Sequence, residues 1–152
     1  MERGLMSFTY EYPRPVNTAD AAVFKLIDNR WHILLIRRGS DPHKGCWALP
    51  GGHMEMNEEL GAAAARELME ETGLKDIELK QFHTFSTLKR DPRDRYITTV
   101  YTATLKTDQD IIAGSDANDV AWVPFERLKD LPIAFDHSFI ITSIISTIDF
   151  IT

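Results

Sequence analysis

The chain has little that would suit it to an oxidising compartment or a bilayer. It holds one cysteine, Cys46. A single thiol excludes an internal disulfide and fits a reducing cytoplasm. Beside Trp47, Cys46 reads as a small buried filler. The opening MERGLMSFTYEYPRP lacks the apolar core of a signal peptide, and no uninterrupted apolar run reaches membrane-spanning length. There is no repeat and no low-complexity stretch. Positive charge is also short: 17 Lys and Arg face 23 Asp and Glu, a net charge of −6 at pH 7. That balance argues against nucleic acid and membrane surfaces as partners. Anionic small molecules remain open to it, because a bound divalent cation reverses the local field. The 152 residues suffice for one domain over 1–152 with a core of its own.

Acid is what the chain has in concentration, in the stretch Gly52 to Leu74, GHMEMNEELGAAAARELMEETGL. Asn57 is suited to cap a helix beginning near Glu58, and Gly73 to end it. At about 100° per residue, Glu67, Glu70 and Glu71 share one face. Leu68, Ala65, Gly61, Thr72 and Met69 fall opposite and are small or apolar enough to pack. Like charges at i, i+4 destabilise a helix by a few tenths of a kcal/mol. The cluster is therefore either a solvated acidic face or a cation site. All-oxygen ligands favour Mg²⁺ or Mn²⁺, and Mg²⁺ binds phosphate as well.

The full spacing is Gly52, five residues, Glu58, seven residues, Arg66-Glu67-Leu68, Met69, Glu70-Glu71, Thr72, Gly73-Leu74. Seven fixed identities match by chance with odds on the order of 10⁻⁸ per start position at average residue usage. The pattern resembles the Nudix box at every specified position, and flanking features extend the resemblance from about Asn17 to Phe139. The resemblance implies an α/β/α sandwich around a mixed β-sheet, with the metal-binding helix beside it. It also implies metal-dependent hydrolysis of a nucleoside diphosphate linked to another group. On that footing Glu67, Glu70 and Glu71 hold the metal and share the base's work, Arg66 orients a glutamate, and the Gly51 carbonyl is a further ligand.

Met1–Asn17 is an extended lead-in, kept from helix by Pro13 and Pro15, with Phe8, Tyr10 and Tyr12 alternating as on a half-buried strand. Thr18–Ile27 and His32–Arg37 are strands buried on both faces, joined by the turn Asp28-Asn29-Arg30. Arg37 and Arg38 then stand at a strand end, either as a solvated edge or as a pyrophosphate clamp. Ile77–Leu88 and Tyr96–Lys106 are strands around a charged loop, Lys89 to Arg95. That loop is a hairpin tip or a substrate contact through Arg93 and Arg95. Its Asp-Pro-Arg-x-Arg resembles a loop of ADP-ribose pyrophosphatases and their regulatory relatives, with Asp94 where the family usually has glycine.

Within Ala113–Pro124, Asp116 and Asp119 are turn residues or N-caps. Resemblance to the family makes them candidates for another metal ligand or base. Phe125–Asp130 is a short helix. Asp136–Ile148 is the last, with an isoleucine stripe suited to the core or to a homodimer face. His137 is a base or simply helix-start polarity. ADP-ribose is the substrate that the resemblance favours. A nucleoside-triphosphate pyrophosphatase and a non-catalytic ADP-ribose-binding regulatory module are the alternatives. Against the last stand the intact metal box, the acidic charge, and a sequence ending at Thr152 without the winged helix such regulators carry.

Overall fold

The computed structural model describes residues 7–114 and 117–148. The centre is β1 (Val16–Ile27), whose Ala19 to Phe24 are all buried. It turns into β2 (Arg30–Arg38) through Asp28 and Asn29, both at positive φ (50° and 62°). Two consecutive positive φ values make the two-residue turn whose twist suits a hairpin, and Asp and Asn tolerate them best after glycine. Ile27 accordingly faces Arg30 across the turn.

β1 is flanked along its length by β6 (Tyr96–Thr104), which runs parallel to it from Val16↔Tyr96 to Phe24↔Thr104. On its other side β1 pairs with β2 at one end, and with β4 (Gly51–His53) at the other. β3 (Trp47–Ala48) and β7 (Ala117–Pro124) both pair with β2, and β5 (Lys80–Phe85) borders β6. The sheet is thus mixed and seven-stranded.

Alternation along β1 assigns a helix to each face. Ala19, Ala21 and Val23 pack toward Ala63, Ala64 and Leu68 of α1 (Leu60–Thr72). Ala22 and Phe24 pack toward Ile140, Ile141 and Ile144 of α2 (His137–Thr147). Each of those isoleucines is at most 2% exposed, worth about 1.5–3 kcal/mol relative to exposure. The stripe at the last helix is therefore core, as its spacing predicts. Phe125–Asp130 forms a 3₁₀ turn rather than an α-helix.

Three expectations change. Phe8, Tyr10 and Tyr12 are exposed, because β1 begins only at Val16 and no described strand lies beside them. The helix starts at Leu60, with Asn57 and Glu58 in a preceding turn, because Glu58 is drawn to Arg66. Ala65 and Met69 are exposed, while Glu71 is buried. The helix is rolled so that the row Ala64, Leu68, Glu71 and Thr72 faces the sheet, and the Gly51 amide meets Glu71 there.

Candidate active site

Where β1, β4 and β6 end beside the start of α1's glutamate face, a cavity of about 410 Å³ opens. One wall is acidic. Arg66 donates to both oxygens of Glu58 (Nε 3.0 Å, Nη2 2.7 Å), to Glu67 (2.9 Å), to Glu70 (3.2 Å) and to the His53 carbonyl (3.1 Å). The Glu55 amide donates to Glu58, and the Gly51 amide to Glu71 (both 2.9 Å). Hydrogen bonding to Glu58 raises the Arg66 pKa above its ordinary value and lowers that of Glu58. Glu67 goes the other way: burial pushes its carboxyl up, with Arg66 opposing. The β4 loop closes over the Glu67 carboxylate.

That enclosure needs both glycines of the β4 loop. A Cβ on Gly52 would overlap the Glu67 carboxylate, and one on Gly51 would overlap Asp20 Oδ1 and the Ala19 carbonyl. Only glycine lets the backbone come so close to these groups.

The facing wall is cationic. Arg93 forks onto Asp91 (Nε 3.0 Å, Nη2 2.7 Å) and lies over the Tyr96 ring at 4.5 Å and the Phe135 ring at 5.4 Å. Arg38 lies over Phe135 at 4.9 Å and donates to the Pro42 carbonyl (2.7 Å). Phe135 has φ 52°, an uncommon left-handed conformation for a bulky residue. The Asp91 bond raises the Arg93 pKa; burial, then Arg93, lower that of Arg38. Burial pushes the Asp91 carboxyl up, but the Arg93 bonds outweigh it and leave it below its ordinary value. Arg90 pins the loop by a two-bond fork onto Asp136 (2.9 and 2.6 Å).

The cavity thus brings together Gly51, Arg66, Glu67, Glu70, Glu71, Arg38 and Arg93. It does not include Arg37, Arg95 or Asp119. Arg37 points away by strand alternation and donates to the Gly45 carbonyl. Asp119 sits opposite Arg37 in the β2–β7 register and is exposed, bonded to the Val120 amide. Arg95 donates to the Ser86 carbonyl. Asp116 lies outside the described residues. Asp20, His53, Glu55, Tyr96 and Phe135 line the cavity without having been singled out as site residues. Asp20 had a signal: an acid inside the otherwise apolar run Ala19–Phe24. His137, two residues beyond Phe135, lines the cavity too. A second groove, about 670 Å³ between β5 and α2, has no carboxylate or guanidinium in its lining.

The acidic wall fits a divalent cation. Glu55, Glu58, Glu67 and Glu70 share one guanidinium, Arg66, and Glu71 adds a fifth carboxylate beside them, so acid is in excess, and every donor is a hard oxygen. Among the described residues no three acidic, imidazole or thiol groups already converge on one point. Arg66 and the Gly51 amide hold the glutamate oxygens instead.

The NUDIX domain family matches residues 16–142, spanning both walls. The chain belongs to the NUDIX family. It is 39% identical over 131 residues to an ADP-ribose pyrophosphatase of Methanocaldococcus jannaschii, covering 86% of this chain and 73% of that protein. It is also 39% identical over 131 residues to the ADPR responsive transcriptional repressor NtrR of Acinetobacter baylyi, covering 84% of this chain. Only 52% of the repressor is matched, so the chain spans about half that relative's length. Among solved structures, the NUDIX domain of Shewanella oneidensis NrtR complexed with ADP ribose superposes with a TM-score of 0.83 at 30% identity, over 89% of both chains. This NUDIX domain has the sandwich that its motif implies. None of its described helices is long and apolar enough to cross a membrane.

Proposed function

We propose that the chain hydrolyses the pyrophosphate bond of a nucleoside diphosphate derivative, namely ADP-ribose, to AMP and ribose 5-phosphate, with Mg²⁺ or Mn²⁺. The observation that carries this is the pairing of an acidic wall with a guanidinium wall across one cavity. A pyrophosphate is the group that uses both: metal charge on one side, Arg forks on the other. The named relatives support ADP-ribose as the molecule.

In this reading Glu67, Glu70, Glu71 and the Gly51 carbonyl would hold the cation, which would supply positive charge to the pyrophosphate and make the attacking water more acidic. Arg66 keeps Glu67 and Glu70 in place. Arg38 Nη1 and Nη2 and Arg93 Nη1 make no hydrogen bond to described residues, which leaves them for phosphate oxygens. Water adds across the anhydride: one P–O bond forms, the bridging P–O bond breaks, and a glutamate takes the water's proton.

The test is a panel of ADP-ribose, dATP and dGTP with Mg²⁺, followed by product chromatography, before and after chelation. AMP from ADP-ribose, lost on chelation and restored by Mg²⁺ or Mn²⁺, is expected, and Arg93→Ala should raise KM more than it lowers kcat. A triphosphate preference would overturn the substrate, and full activity after rigorous metal removal would overturn the mechanism. A second reading, an ADP-ribose-responsive binding module, draws on the half-length match to the repressor. Tight ADP-ribose binding with no hydrolysis of any panel member would favour it.

A further inference from the structure

Asp20 sits on the floor of the cavity and is only 7% exposed. It belongs to the face of β1 that carries Ala22 and Phe24, on the α2 side of the sheet, whereas the glutamates come from α1 on the other side. Its Oδ2 accepts the Thr98 hydroxyl at 2.6 Å. His137 Nε2 stands 3.8 Å from the same oxygen, too far for a hydrogen bond. His137 is itself held by the Leu49 amide, which donates to Nδ1 at 3.0 Å and so leaves the ring proton on Nε2, toward Asp20. Oδ1 is different. It makes no hydrogen bond to any described residue, and it lies against Gly51 at the cavity edge.

Oδ1 opens onto the cavity with no donor among the described residues, so water meets it in the free chain, and a bound molecule that displaces this water must bring a donor of its own. The candidate cannot be a phosphate, which brings only acceptors and like charge. Arg90, which lines the cavity, is already committed to Asp136. The bound molecule must therefore present a donor over this part of the floor. A pyrophosphate bridging the acidic and guanidinium walls would put its attached sugar there, since a sugar is one methylene from its phosphate and a base lies a full ring further.

We infer that Asp20 is a ligand-binding residue whose Oδ1 accepts a hydrogen bond from a sugar hydroxyl of the bound diphosphate, held in place by Thr98. The inference rests on the ADP-ribose reading and deepens it: Asp20 selects sugar-linked diphosphates over nucleotides that lack that hydroxyl.

The experiment measures KM and kcat for ADP-ribose and for its singly deoxygenated sugar analogues, with wild type and Asp20→Ala, alongside circular dichroism and a melting curve. In a folded Asp20→Ala, which has no acceptor left, KM for ADP-ribose should rise about tenfold or more while kcat changes less than threefold, because hydrogen bonds to charged groups are among the stronger ones. One deoxy analogue should show the same raised KM with wild type and no further rise with the mutant, as the two deletions remove one contact. An unchanged KM in the folded mutant overturns the inference, as does a loss confined to kcat, or an equal loss across every analogue. If Asp20→Ala does not fold, the analogues on wild type still decide: no single hydroxyl deletion raising KM overturns it. A wild type that neither binds nor cleaves ADP-ribose removes both readings, whereas normal ADP-ribose turnover with an indifferent mutant removes only this one.

Discussion

At the scale of single residues, His137 is the group with the most to lose in acid. Burial lowers its pKa, and the charges of Arg90 and Arg38 lower it further, against Asp20 and Asp136, which raise it. A histidine buried neutral takes up its proton more readily unfolded than folded. The stability it contributes is therefore complete above the unfolded value, about 6.5, and is lost as pH falls through the lower folded value. Urea unfolding at pH 8, 6.5 and 5.5 should show a steeper acid-side loss in wild type than in His137→Asn, whose side-chain oxygen can still accept the Leu49 amide. Parallel losses would show that His137 is not the responsible group. The His137 ring was legible in the sequence only as a choice between base and helix-start polarity. Its role depends on Leu49, 88 positions away in the chain.

At the scale of elements, two glycines separate function from stability. A methyl on Gly52 would meet the end of the Glu67 side chain, which can swing away. A methyl on Gly114 would meet the Glu70 carbonyl of α1, which is backbone and cannot, and there the Gly114 amide also donates to the Glu71 carbonyl (3.1 Å). Gly52→Ala should melt within a few degrees of wild type but lose most turnover, since Glu67 is displaced from Arg66. Gly114→Ala should be destabilised by about 1–3 kcal/mol, the usual cost of overpacking. Melting curves and rates on the same samples check both. Reversal of the pattern would mean that the loop, not the helix, limits stability. The helix itself was legible from Glu67, Glu70, Glu71 and the left-handed Gly73 cap (φ 81°). Its first turn was not, because the pull of Arg66 on Glu58 outweighs the capping preference of Asn57.

At the scale of the molecule, the excess acid of the cavity couples metal binding to folding. Four carboxylates held by one guanidinium, with Glu71 beside them, repel one another without a cation, so a cation that binds the folded chain should raise its melting temperature. Mass action gives about 2.7 kcal/mol at a hundred times Kd, or roughly 5–10 °C for a domain of this size. Calorimetry with and without Mg²⁺ measures it. No shift at saturating Mg²⁺ would leave the acidic wall without a cation site. Replacing Glu67 and Glu71 together by Gln should abolish most of the shift.

The amino-acid order by itself determined what local spacing can express. Glu67, Glu70 and Glu71 lie on one helix face because 3.6 residues make a turn, and the α2 isoleucines are core for the same reason. The β1–β2 hairpin follows from Asp28-Asn29, whose side chains tolerate left-handed backbone. Tertiary structure alone decided which charged groups meet. Arg38 and Arg93 reach the cavity, while Arg37 and Arg95, each adjacent or nearly so in sequence, do not. The strand end and loop set those directions through pairing with β3, β7 and β6, which no local pattern encodes. Asp20 joined the site in the same way. An acid in an apolar strand is visible in the sequence, but its partners, Thr98 from a parallel neighbour and His137 from the last helix, are contributed by elements 78 and 117 residues further along the chain.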